Sequence, residues 1–242
     1  MIVRDRGVDW QVVLQTDHAD LSGALARAWS GRGPRHGSLE VAAKRHDDGW
    51  AVWERSPRLD PESGAPVNFL DVDVTSHLAF YRAGIAAITE EDPYAGLLVS
   101  MHGAGIYRQR YGRDPGLGLS RAPEVQALVD AFVDEQEAGY EERLAATGAS
   151  DEERWRDYEL LQLFDRLSLH FCMRDVDADG GKPVELQGYT LEPAGPWRVR
   201  ISPFPFAEAP ARFELVRRLL PKGTRSGVLA VPGERVGITF ER

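Results

Sequence analysis

The hydrophobic pattern of this chain changes period once. Up to about residue 175 apolar residues recur at helical spacing, and beyond it short stretches alternate between Pro and Gly breaks. In residues 16–30, Leu21, Leu25 and Trp29 fall at i, i+4 and i+8 on one stripe, which Gly31-Arg32-Gly33-Pro34 ends. The same reasoning predicts helices at 37–48, stopping near Gly49, at 67–89 and at 93–111, then two long polar-faced helices at 122–147 and 150–174. Residues 2–4 and 10–14 read as one or two short strands. Residues 50–66 and 114–118 read as loops, from their Ser-Pro, Asp-Pro and Pro-Gly pairs. After the switch, 197–201 and 237–240 alternate as strands, and 213–220 reads as the one helical insert. The expectation is a mainly α chain, α+β overall: a helical domain over 1–175 and a small antiparallel β extension over 176–242 packed on it, completed by the N-terminal strand.

Composition narrows the function. A net charge of −9 argues against the basic footprint that nucleic acid or an anionic membrane face requires. A single cysteine, Cys172, excludes an internal disulfide and any CxxC zinc ribbon and reads as a buried small hydrophobe. No apolar run of about 18 residues and no secretory h-region is visible, so the chain reads as cytoplasmic, without a membrane partner.

Six histidines are present. One lies on the first predicted helix (His18) and one in an adjacent His46-Asp47 pair at the end of the second. His77 and His102 lie on the next two helices, and Asp165 lies on the last long one. Imidazoles and carboxylates carried in this order on successive helices are the donor types that divalent metals take. The order resembles the HD superfamily, whose signature is a His, then a His-Asp pair, then a distant Asp, with two further His in dinuclear members. The resemblance spans roughly residues 10–175 and implies an HD-like helical bundle. The chain also resembles an uncharacterised bacterial family with an HD-like core, through Gln15-x-x-His18-Ala19-x-Leu21-Ser22-Gly23, His46-Asp47-x-Gly49-Trp50 and Ser100-Met101-His102-Gly103.

By that resemblance His18, His46, Asp47 and Asp165 hold a first divalent ion. His77 and His102, with Asp47 bridging, hold a second; the ions are Fe, Mn, Co, Ni or Zn, with iron favoured. The implied activity is a phosphohydrolase, a phosphomonoesterase or phosphodiesterase, in which a metal-activated hydroxide attacks a small phosphate-bearing substrate at the His46-Asp47 centre. The alternatives are a mixed-valent diiron oxygenase of the inositol-oxygenase type and a non-catalytic ligand-binding or interaction protein. Many HD proteins carry x-Gly-Lys or x-Gly-His after the dipeptide, where this chain has Asp48-Gly49-Trp50.

Further residues follow from helical spacing. Asp73, four before His77, is placed to orient its imidazole. Gln15 and Ser22 flank His18, while Tyr158, Gln162 and Ser168 share the stripe of Asp165. Lys44, Arg45 and Arg108 are the nearest cations to neutralise phosphate. His36 reads as solvated in a loop and His170 as packed away from Asp165. Asp175-Val176-Asp177-Ala178-Asp179-Gly180 copies half of a calcium loop, but Leu186 stands where the bidentate Glu is needed. Pro203-Phe204-Pro205-Phe206 reads as a rigid apolar segment, either packed on the helices or forming a homodimer surface.

Overall fold

The computed structural model describes residues 1–113, 122–174, 182–223 and 227–242. The loop reading at 114–118 and the half calcium loop at 175–180 lie outside the described residues.

Two N-terminal strands, β1 (Ile2–Asp5) and β2 (Asp9–Val13), lead into helix α1 (Gln15–Ala28). Then come α2 (His36–Arg45), a 3-10 turn at Asp48–Trp50 running into the short α3 (Ala51–Glu54), α4 (Val74–Glu91), α5 (Pro93–Gly105), α6 (Pro123–Ala138), α7 (Tyr140–Thr147) and α8 (Asp151–Met173). Several boundaries differ from the periodicity, and capping explains them. The predicted 67–89 helix begins only at Val74, because the Asn68 side chain accepts from the Leu70 N–H and Asp73 from the Ser76 N–H, each closing a turn. The predicted 122–147 helix breaks at Gly139, into α6 and α7. Helix α8 opens on a Ser150/Glu153 capping box. Helix α1 has no side-chain cap of its own. Glu54, buried and 39 residues away in sequence, accepts from the Gln15 N–H and the Thr16 hydroxyl and supplies the negative charge that this helix start favours.

Helix α5 is buried along almost its whole length, from Tyr94 to Gly105, and packs against α2, α4, α6, α7 and α8. Its Gly, Ala and Ser positions permit that approach. A Cβ at Gly105 would stand 2.2 Å from the Tyr158 hydroxyl.

The remaining strands are β3 (Val184–Leu186), β4 (Tyr189–Pro193), β5 (Arg198–Ser202), β6 (Ala211–Pro221) and β7 (Glu234–Glu241), in one seven-stranded sheet ordered β1-β2-β6-β7-β5-β4-β3. Two expectations are corrected. The sheet is mixed, since β5 and β7 run parallel while the other pairs are antiparallel. Residues 213–220 are strand, not helix: Ala211, Phe213 and Leu215 turn inward while Arg212 and Glu214 face out. β6 pairs with β7 through Ala211–Arg217 and with β2 through Arg218–Pro221, so a ladder runs along its whole length and fixes the alternation. α1 lies against β6, and one apolar cluster runs from Ile2 through the helices to Phe240. The 203–206 segment packs on α1, with Phe206 edge-on to Trp29 at 5.8 Å and Ser30 N–H bonded to the Pro205 carbonyl.

His170 is buried on α8 beside Phe171, and burial, reinforced by Arg174, pushes its pKa down to about 4. It is neutral in the fold but takes a proton in the unfolded chain below about pH 6.5, so its full stability is present above that value and falls as the pH drops toward about 4. Metal-free protein taken from pH 7.5 to 5 is expected to lose about 2 kcal/mol through this residue. His170→Gln should flatten the melting-temperature profile by that amount, and parallel profiles for the two proteins would refute the assignment.

Candidate metal centre

Five segments converge on one point. α1 presents Gln15, His18 and Ser22, and the end of α2 presents His46 with Asp47 in the turn that follows. α4 contributes His77 and Tyr81, α5 contributes His102, and α8 contributes Gln162, Asp165 and Ser168. Each of these side chains is buried. α2 stops at Arg45, and Asp47 adopts φ −112°, ψ 16°, so His46 and Asp47 aim inward from a turn. Gly49 makes this possible: a Cβ there would stand 1.9 Å from the Phe80 carbonyl oxygen, so α4 sits directly on the turn.

At the centre the His18 and His46 Nε2 atoms are 3.1 Å apart. Asp165 Oδ1 lies 3.4 Å from the first and 3.8 Å from the second, and Asp47 Oδ2 lies 3.5 and 3.6 Å from them. Hydrogen bonds fix where the protons are. His46 Nδ1 is 2.9 Å from the Ala43 carbonyl, which only accepts, so that nitrogen carries the proton and Nε2 a lone pair. The Ser168 hydroxyl donates to the Asp165 carbonyl at 2.8 Å and therefore accepts from His18 Nδ1, which leaves His18 Nε2 as a lone pair too.

With both rings neutral, two lone pairs and two carboxylate oxygens thus face one another in a buried space, an arrangement that repels itself without a cation. Donors around an ion with bonds of about 2.1 Å stand about 3.0 Å apart along an octahedral edge and about 3.4 Å apart along a tetrahedral one. The distances that tie the two Nε2 atoms to each other and to each carboxylate, 3.1–3.8 Å, are close to those of donors around an ion. Burial alone would raise Asp47, but positive charge on the facing imidazoles, when a proton stands in for the ion, holds it well below the carboxylate range. Asp165 is likewise lowered: burial opposes, and the Arg110 guanidinium, foremost, prevails.

One donor atom each from His46, Asp47 and His102 forms a second group within 4.8 Å, overlapping the first group of His18, His46 and Asp165. His77 lines the same cavity, its Nδ1 bonded to the Tyr107 hydroxyl and its ring packed on Trp50 at 5.3 Å and Tyr81 at 5.0 Å, but it joins neither group. The cavity, about 280 Å³, is walled on its outer side by Phe69, Leu70, Ile106, Leu169 and Met173.

Other expected residues lie elsewhere. Asp73 does not reach the His77 ring; it caps α4 and pairs with Arg58 at 2.7 Å on the surface. Lys44 is exposed toward Asp20, Arg45 pairs with Asp48 and Glu91, and Arg108 pairs with Glu137 and Asp134, so none of these three cations lines the cavity. Tyr158 is buried against Gly105, away from the cavity lining. His36 is half-buried at the start of α2 instead of solvated in a loop. Cys172 is buried, and that burial raises its thiol pKa.

The residues that spacing missed are Tyr81, Tyr107 and Arg110. The Tyr81 hydroxyl donates to Asp47 Oδ1 at 3.2 Å, and burial, with Asp47 and Asp165 nearby, keeps it protonated. Its i+4 relation to His77 was the available signal. Arg110 had none, because it reaches the site from a left-handed turn, with positive φ at Gln109, Arg110, Tyr111 and Gly112. Its guanidinium bonds Asp165 Oδ2 at 3.2 Å and also Gln162 Oε1.

Over residues 1–222 the sequence matches the family described as "Protein of unknown function (DUF3891)". The chain belongs to the DUF3891 family. The match contains every residue of the centre and leaves β7 outside it. No curated protein and no solved structure matches the chain. For this DUF3891 protein, Ser168→Ala removes the acceptor that holds His18 Nδ1 while sparing the donors themselves. Metal affinity, read by competition with a chelating dye, should fall roughly 10–100-fold with the fold retained. Unchanged affinity would show that Ser168 does not set the His18 ring.

Proposed function

We propose that this protein is a metal-dependent hydrolase of small phosphate esters, with an ion held by His18, His46, Asp47 and Asp165. The observation that carries it is the pair of Nε2 atoms 3.1 Å apart, each within 3.8 Å of two buried carboxylates that line a cavity. The His, His-Asp, Asp order that resembles the HD superfamily supports the reaction class. A divalent ion bound there would supply Lewis acidity for a phosphoryl oxygen and for water near neutral pH.

The protein's own groups do the rest. Gln15 Nε2 donates to Asp47 Oδ2 at 3.1 Å and Tyr81 donates to Oδ1, which aims that carboxylate. The apolar wall keeps bulk water from the reacting groups, and the cavity size selects a small molecule over a polymer. With a net charge of −9, nucleic acid is disfavoured as a substrate.

A panel of phosphomonoesters and phosphodiesters with metal-free protein reloaded with manganese, cobalt, nickel or ferrous ion tests the reading. Turnover with at least one metal, abolished by chelator, is expected. Silence throughout the panel with stoichiometric metal bound would reject hydrolysis.

A further inference from the structure

We propose that Arg110, Gln162 and His102 form a relay that holds His102 as an Nε2–H donor, so that the centre takes a single ion and His102 gives its proton in a hydrogen bond to a substrate oxygen. This rests on the metal reading above and changes what its second histidine group does.

The relay is read from donor chemistry. A guanidinium has donors only, so the Gln162 atom facing Arg110 Nη1 must be the carbonyl oxygen. The amide is thereby oriented, and its NH2 lies 3.1 Å from His102 Nδ1. An NH2 group has no lone pair to offer a ring N–H, so Nδ1 accepts and the ring proton sits on Nε2. Nδ1 is committed to Gln162, which leaves Nε2 for the cavity that His102 lines. This is the opposite tautomer from His18 and His46, whose Nδ1 atoms donate. A protonated Nε2 has no lone pair for a metal. It is instead a neutral donor, suited to charge building on a phosphoryl oxygen.

One further observation agrees. Arg110 is held in place by a costly backbone: Gln109, Arg110 and Tyr111 all have φ between 50° and 55°, a run that L residues rarely adopt. Turning the Gln162 amide over would face its NH2 to the guanidinium, so the fixed arginine blocks the other tautomer.

Gln162→Glu reverses the relay at constant shape. A carboxylate accepts from Arg110 and from His102 at once, moving the ring proton to Nδ1 and exposing an Nε2 lone pair. The test uses full-length protein, loaded anaerobically with excess Mn(II) or Fe(II) and freed of unbound metal. Metal content is measured per chain, and the His102 tautomer is read in the metal-free protein by long-range ¹H–¹⁵N correlation of the imidazole, assigned with His102→Gln. Expected are one ion and an Nε2–H ring in the wild type, and two ions and an Nδ1–H ring in Q162E. Two ions or an Nδ1–H ring in the wild type overturns the proposal, and so does a folded Q162E that stays at one ion. The wild-type results decide it even if Q162E does not fold. Absence of any bound ion would sink the metal reading itself, while the ring spectrum would still decide the relay.

Discussion

Asp47→Asn is expected to give a folded protein that no longer responds to metal. The asparagine keeps an oxygen for the Tyr81 hydroxyl, and its NH2 can donate to the facing lone pairs of His18 and His46, substituting a proton for the ion. The one new conflict, with the Gln15 NH2, is relieved by turning over the Gln15 amide, whose Oε1 is buried without a hydrogen-bond partner among the described residues. Metal-free Asp47→Asn should therefore melt no lower than the metal-free wild type. Metal at about 100 times its dissociation constant should stabilise the wild type by about 2.7 kcal/mol, roughly 5–11 °C for a chain of this size, and leave the variant unmoved. Any metal-dependent turnover should drop about 10³-fold or more. A variant that keeps the full metal-induced shift would remove Asp47 from the ligand set.

Arg110→Met should be the most destabilising of the single changes considered. It strips the guanidinium from Asp165, whose carboxylate is buried and whose charge Arg110 does most to offset. Breaking a buried pair on one side costs about 3–5 kcal/mol, which for this size of chain is a fall of roughly 6–20 °C in metal-free protein. Adding Asp165→Asn should recover part of the loss, since no uncompensated charge then remains, and metal should narrow the gap because an ion also neutralises Asp165. Thermal melts of the four proteins of this cycle, with and without metal, measure it. A melting point for Arg110→Met within about 2 °C of wild type would show that Asp165 does not depend on the arginine.

Together these expectations divide the centre into donors and supports, and the two kinds of residue were unequally legible. His18, the His46-Asp47 pair, His102 and Asp165 could be named from their order on successive helices, because residue type limits which groups can hold a metal. Gln15, Ser22, Gln162 and Ser168 followed from helical spacing, which carries a face reliably over one or two turns. The cations could not be found this way. Lys44, Arg45 and Arg108 are near in sequence but reach for surface carboxylates, whereas Arg110 arrives from a turn whose handedness no propensity announces. Asp73 fails for a related reason: a residue four before His77 is also the residue that can cap the helix, and capping wins.

The sequence by itself determined the donor types, the helical order that carries them, and the switch from helix to strand near residue 175, since each is a local property of side-chain chemistry or hydrophobic period. Tertiary structure alone decided that residues 213–220 become a strand, because a short apolar run fits either period until neighbouring strands offer a ladder along its length, β7 to 213–217 and β2 to 218–220. It alone decided as well that Glu54 starts α1 and that Arg110 faces Asp165. Those contacts join residues far apart in the chain, and what fixes them is the need of a buried charge or an unsatisfied backbone group for whichever partner packing brings within reach.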